Sequence, residues 1–328
     1  MKKIIKIVAP LLVASVALLG CSSSEDTESA GDSVNVSGSS TVAPISTRVA
    51  ELWVDSGSDA VVNVDGPGTG DGFQLFCNGE TDISDASREI KEEEIASCEE
   101  NGINYVELKI AFDGITVMTN PANETIECLN FADMYSLVGP EAEGFDSWAD
   151  ASDLASELES DTALPDAPLD IYGPGEESGT YDSFVEIVIE PLGEDRVEEA
   201  GQTRADYSSS SDDNVIIQGV QGSDTSFGWV GFAFAEEASD SVKEIPVAAE
   251  VGGECVEPSI ETIADGSYPI SRPLFIYVNT DKATSGSAVA DYVDYYLSDE
   301  GIAAVSEVGY VNLPPEQIEE TRTAWTER

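Results

Sequence analysis

Three stretches of this sequence place hydroxyl-bearing residues beside glycines where a helix is about to begin. Gly38, Ser39, Ser40 and Thr41 follow the alternating run Val34, Asn35, Val36. They precede Val42, Ile45, Val49, Leu52 and Trp53, apolar at helical spacing. Gly66, Pro67, Gly68, Thr69 and Gly70 follow a β-rich run at 61–64 and lead into residues 73–76, Phe-Gln-Leu-Phe. Gly173, Pro174, Gly175, Glu176, Glu177, Ser178, Gly179 and Thr180 follow the apolar run 169–172 and precede a second one at 184–189. Each reads as strand, glycine-rich turn, helix. The first N–H groups of a helix have no intrahelical partner, and the hydroxyls beside them can donate as well. Such a start receives an oxyanion. One capped helix is ordinary. Three that converge would hold an anion among dipoles and hydroxyls, with no need for net positive charge nearby.

The residues that are absent narrow the chemistry. The chain has no histidine, which excludes Ser-His-Asp and Cys-His catalysis and imidazole-bound metal. It has no G-x-S-x-G elbow and no phosphate loop ending in Gly-Lys-Ser/Thr. No C-x-x-C is present, so a thiolate metal site is not expected, and no cofactor is implied. With 65 Asp and Glu against 14 Lys and Arg, the formal charge is −51. Such a chain repels nucleic acid. At 41% hydrophobic residues it is nevertheless a folding sequence and not an acidic tail. The excess of acid suits salty water, where screening weakens self-repulsion.

The elements that must position these turns alternate along the chain. Lys2, Lys3 and Lys6 precede an apolar run at 7–19 that ends in Leu18, Leu19, Gly20, Cys21. A basic start and a short apolar run read as an export signal, here residues 1–20, and the ending is similar to a bacterial lipoprotein signal, with lipid expected on Cys21. Residues 21–33 are polar and aperiodic and read as a tether. After residues 1–20 the chain is long for one core and natural for two domains. Cys77, Cys98, Cys128 and Cys255 are an even set in an exported chain, so two disulfides are expected. Three pairings exist; Cys77–Cys98 closes the shortest loop, which leaves Cys128–Cys255.

Residues 82–88 read as a strand ending in polar groups, and 91–100 as a charged helix stopped at Asn101, Gly102. Two strands are expected at 105–110 and 114–119, and short helices near 131–137 and 151–158. Residues 187–204 carry helix, turn and helix signals. A polar loop at 207–214 precedes a helix at 215–220. Residues 226–235 read as buried strand and turn, 273–279 as a strand, and 288–297 and 301–308 as helices. The class is α/β, and no 20–50-residue repeat is evident.

In this order, the lipoprotein-like start, the turns at 38–41, 66–70 and 178–180, residues 82–88 and Ser271, Arg272, Pro273, Leu274, Phe275 resemble the phosphate-binding proteins of ABC phosphate importers. The resemblance covers nearly all of residues 34–328. It implies a two-lobed type II periplasmic-binding-protein fold, each lobe a sheet flanked by helices. Lobe one would be 34–112 plus 276–328 and lobe two 113–275, with crossover strands near 110–116 and 273–278. The implied function is capture of inorganic phosphate between the lobes and delivery to a membrane permease, by a monomer held on the bilayer through Cys21. Ser40, Thr41, Thr69, Ser178, Gly179 and Thr180 match the family's ligand turns, with Ser39 beside them.

Two positions depart from the family. Ser87, followed by Arg88, stands where an aspartate accepts the phosphate proton; Asp85 and Glu177 are the acids expected to take over. Pro174 stands where an arginine is usual; Arg88 and Arg204 are the expected replacements, and Arg272 is expected to brace the hinge. A carboxylate acceptor rejects sulfate because two unprotonated oxyanions would face each other. The departures therefore leave sulfate, or another tetrahedral oxyanion, as the alternative ligand. An exported phosphatase or other hydrolase is the alternative of another class, and a pure sensor or adhesin is a further one.

Overall fold

The computed structural model describes residues 33–198 and 200–328. The expected signal, Cys21 and all of the tether except Ser33 lie outside the described residues. Among the described residues there are twelve strands. They are β1 (Ser33–Gly38), β2 (Val61–Asp65), β3 (Ile83–Ala86), β4 (Tyr105–Thr119), β5 (Leu129–Asn130) and β6 (Ile171–Gly173). There follow β7 (Ser208–Ser209), β8 (Phe227–Gly231), β9 (Lys243–Glu244), β10 (Val247–Ala248), β11 (Ser271–Asn279) and β12 (Val311–Asn312). Ten of them form one sheet in the order β2-β1-β3-β11-β4-β8-β6-β7, with β9 and β12 also paired to β4; β5 and β10 pair separately.

This sheet is two parallel blocks joined through antiparallel strands. β1 pairs in parallel with β2 and β3, and β6 with β7 and β8. Between the blocks run β11 and β4, antiparallel to each other. β11 also pairs with β3, and the far end of β4 pairs with β8. The two strands expected at 105–110 and 114–119 are therefore one 15-residue strand. Ala111, Phe112 and Asp113, which separate the two expected runs, are buried and laddered to β11, so pairing carries the chain through.

Helices cover the blocks. Ala43–Asp55 lays Ile45, Val49 and Trp53 against the core that holds Val34, Val36, Leu108, Ile276 and Tyr292. A second core holds Phe112, Ile115, Trp148, Phe184 and Trp229, with the Phe184 and Trp229 rings stacked at 4.8 Å. A smaller one gathers Phe73, Phe76, Phe275 and Tyr277 beside the Cys77–Cys98 disulfide. Cys128 and Cys255 form the other disulfide.

Two expectations fail. Past a π-type turn at Val185–Ile189, residues 187–204 hold one short helix, Glu190–Gly193, and then turns. Residues 226–235 end in a helix, Phe232–Glu237, where a turn was expected. A C-terminal helix, Pro315–Glu327, escapes the sequence reading although Pro315 at its start and Thr321 and Trp325 on its buried face are its signals. Thr321 donates to the Lys109 carbonyl of β4 at 2.8 Å, which fixes the helix across that strand.

Candidate functional site

The three glycine-rich turns meet around Gly38. Its carbonyl accepts from Gly68 N–H at 2.8 Å, and the next residue, Ser39, donates its N–H to the Asp85 carbonyl at 2.9 Å. A Cβ on Gly72 would lie 2.4 Å from the Gly38 Cα, and one on Gly38 2.0 Å from the Asp85 carbonyl oxygen. Only glycine lets these backbones touch. From the far block, the turn before the helix Gly179–Phe184 closes on the same place: a Cβ on Gly179 would stand 2.8 Å from the Thr41 Cα and 3.1 Å from the Ser40 carbonyl oxygen. Ser178 caps that helix, its hydroxyl accepting from Thr180 N–H at 3.2 Å.

Hydroxyls line the meeting place. Ser39 is buried, and its Oγ accepts from Thr41 N–H at 3.2 Å. Ser40 Oγ donates to Asp182 Oδ2 at 2.5 Å, and Thr41 Oγ1 lies 3.2 Å from Ser183 Oγ and donates to the Gly179 carbonyl at 3.3 Å, so three contacts run from the 38–41 turn to the far block. Thr69 and Ser87 form their own pair at 3.0 Å, with Ser87 N–H donating to Thr69 Oγ1 at 3.2 Å. The structure thus brings Ser39, Ser40, Thr41, Ser178, Gly179 and Thr180 together, with Thr69 and Ser87 on the adjoining turn.

The charged candidates separate. Arg88 stands beside that turn, with a guanidinium nitrogen 4.0 Å from where a Gly70 Cβ would be, and makes a bidentate pair with Glu94 at 2.8 Å on each arm. Arg204 is not brought to the turns. Buried, it pairs with Asp206 and donates to the Leu137 and Phe145 carbonyls, a structural set of partners. Glu177 is exposed on the turn itself. Asp85 is fully buried, and its carboxyl turns to Ser46 Oγ at 2.9 Å; burial pushes it up to about 7, against the Ser46 bond.

Arg272 differs from expectation in what it touches. On β11 it pairs in register with Asp113 of β4, its Nε 3.7 Å from the carboxylate. Its Nη2 donates to Thr41 Oγ1 at 3.1 Å and to Ser183 Oγ at 2.7 Å, and its Nη1 bonds Glu186. Burial raises the Asp113 carboxyl, partly offset by Arg272 and Ser183. Burial also raises Asp182, with Ser40 pulling it back and Glu186 adding to the rise. Asp113, Asp182 and Ser183 were not found from sequence. Ser183 carried a usable signal: it stands four residues after Gly179, one helical turn, and its hydroxyl lies 2.8 Å from the Gly179 carbonyl. Asp113 carried none, because its role comes from strand register.

Hydroxyls, main chain and turn glycines gather at one place, an arrangement suited to holding an anion through hydrogen bonds.

The sequence profile of the PBP superfamily domain matches residues 23–300. Protein SphX of Synechocystis is 37% identical over 94% of this chain and 85% of its own. A phosphate-binding protein PstS of Staphylococcus saprophyticus is 34% identical over 87% of this chain and 82% of its own. Among solved structures, one described as a possible phosphate binding protein from Planctomyces limnophilus superposes with a TM-score of 0.80 at 34% identity, over 90% of this chain and 98% of that one. Sequence profile, relatives and superposition agree on a type II solute-binding fold and on a binding protein in place of an enzyme, and the chain belongs to the PBP superfamily, among the PstS-like phosphate-binding proteins.

Proposed function

We propose that this protein captures inorganic phosphate outside the cytoplasm and delivers it to an ABC permease. The observation that carries this reading is the contact of the Ser178, Gly179, Thr180 turn with Ser40 and Thr41. It brings hydroxyl-bearing turns of both blocks against each other. An anion there is held by many hydrogen bonds in a dry cleft, which suits a protein of charge −51. The relatives named phosphate-binding protein PstS support phosphate as the ligand.

In this reading the ligand set is Ser40, Thr41, Thr69, Ser87, Arg88, Ser178, Gly179 and Thr180, with Ser39 behind them. The lobes are 34–112 plus 276–328 and 113–275, and β4 and β11 act as the hinge. Closure of the lobes is the signal to the permease. Cys21 carries the lipid that holds a monomer on the membrane; among the described residues no helix is long and apolar enough to cross one.

Sulfate remains a specific second reading, because Asp85 turns away from the turns and Glu177 is exposed. Calorimetric titration of residues 22–328, stripped of anion, with phosphate and then sulfate tests both. Submicromolar phosphate binding with no sulfate response is the expected result. Binding of both makes the protein a general tetrahedral-oxyanion receptor, and binding of neither leaves the fold without this function.

A further inference from the structure

The Arg272–Asp113 pair does more than brace two strands. The two residues face each other across β11 and β4, the strands that join the blocks, and they stand directly behind the binding turns. A guanidinium can only donate hydrogen bonds. With Arg272 Nη2 at 3.1 Å from Thr41 Oγ1, one lone pair of that hydroxyl is engaged, and the Thr41 proton must point away from Arg272, on the side where the Gly179 carbonyl accepts it at 3.3 Å. The same nitrogen donates to Ser183 Oγ at 2.7 Å, while Ser183 can give its own proton to Asp113 Oδ2 at 2.5 Å. Each hydroxyl rotor therefore has a preferred sense. Thr41 comes from one block and Ser183 from the other, so one guanidinium sets both.

We propose that Arg272 is a positioning residue for ligand capture: held by Asp113, it fixes Thr41 as a hydrogen-bond donor and registers the two halves of the site against each other. It acts through Thr41 and Ser183 and does not itself serve as the anion's countercharge, since Asp113 and Glu186 already balance it. Arg272 is a suitable anchor because both its strand and that of Asp113 run through the joint. Its planar fork can address two hydroxyls and a carboxylate at once, which a lysine ammonium cannot do with fixed geometry. An anion arriving at Thr41 then competes only with the long bond to the Gly179 carbonyl for a proton already turned away from Arg272, and the cost of ordering that hydroxyl is borne by the folded protein.

The inference rests on the phosphate reading, and its test separates the two. Inorganic phosphate is titrated calorimetrically into wild type, Arg272→Gln, Thr41→Val and the double variant, with thermal unfolding recorded for each. Arg272→Gln is expected to weaken phosphate binding about 10- to 100-fold, the range for a lost preorganised donor. In the double variant the loss should be close to that of Thr41→Val alone, because Arg272 acts through that hydroxyl. Arg272→Lys keeps the charge in the buried pair and loses the fork; it covers the case in which glutamine prevents folding, and it too should bind weakly while melting within a few degrees of wild type. Losses that multiply in the double variant, or an Arg272→Lys protein that binds as wild type does, overturn the proposal. Wild type that binds no phosphate fails the functional reading itself and takes this inference with it.

Discussion

Asp85 holds one carboxyl oxygen against the Ser46 hydroxyl, and its other oxygen is buried with no hydrogen-bond partner. Tyr292 and Tyr296 close the space behind Ser46. Burial pushes this carboxyl up to about 7. In the unfolded chain an aspartate releases its proton near pH 4, so between about 4 and 7 the native state binds the extra proton and stability falls as pH rises. Across that window the loss is a few kcal/mol, at about 1.4 kcal/mol for each pH unit. Asp85→Asn keeps the shape and removes the titration. Urea unfolding at pH 4.5 and 7.5 should therefore show a smaller pH difference in the variant than in wild type, and an equal difference would refute the assignment. At this scale the hydroxyl-bearing turns were legible in sequence, because Ser and Thr beside turn glycines carry their own local signal. It could not place the charges: whether Arg88, Arg204 or Arg272 reaches the turns depends on which acid each one meets, and those acids are 6, 2 and 159 residues away.

The turns depend on bare backbone as much as on hydroxyls. Gly179 lies against Thr41 and Ser40, and a methyl group there meets main chain that cannot swing aside as a side chain would. Gly179→Ala is expected to hold the two turns apart, with phosphate affinity down about 100-fold, or nearly 3 kcal/mol. The helix itself should tolerate the change, because alanine is a better helix former than glycine by about 1 kcal/mol. A thermal melt and a phosphate titration on one sample distinguish these outcomes; unchanged affinity would show that the close approach does not serve binding. Elements with strong periodicity, such as the helix Ala43–Asp55, were legible from sequence. β4 was not: the break expected at Ala111, Phe112 and Asp113 disappears because β11 ladders all three and β12 also pairs Ala111 and Phe112.

Over the whole molecule, 65 acids face 14 bases. Arg48, Arg88, Arg196, Arg204, Arg272, Arg322 and Lys282 are each engaged with acids, which leaves most carboxylates without a countercharge. Self-repulsion then opposes folding until salt shortens its reach, from about 10 Å at 0.1 M to about 3 Å at 1 M. Moving from 50 mM to 1 M sodium chloride should raise the melting temperature by roughly 10 °C, given about 2–4 °C per kcal/mol for a chain of this size. Choline chloride at equal ionic strength should act alike if screening is the cause; a flat response to both salts would remove self-repulsion from the account. By itself the sequence determined the class, the three strand–turn–helix units and the hydroxyl-rich character of their turns, because caps, periodicity and turn glycines are local physics. Only the tertiary structure decided that the turns meet at Gly38, that Asp85 faces inward and that Arg272 and Asp113 stand behind Thr41 and Ser183. Those facts come from strand order and register, which place residues more than a hundred positions apart in hydrogen-bond contact and leave no trace in the spacing of either partner.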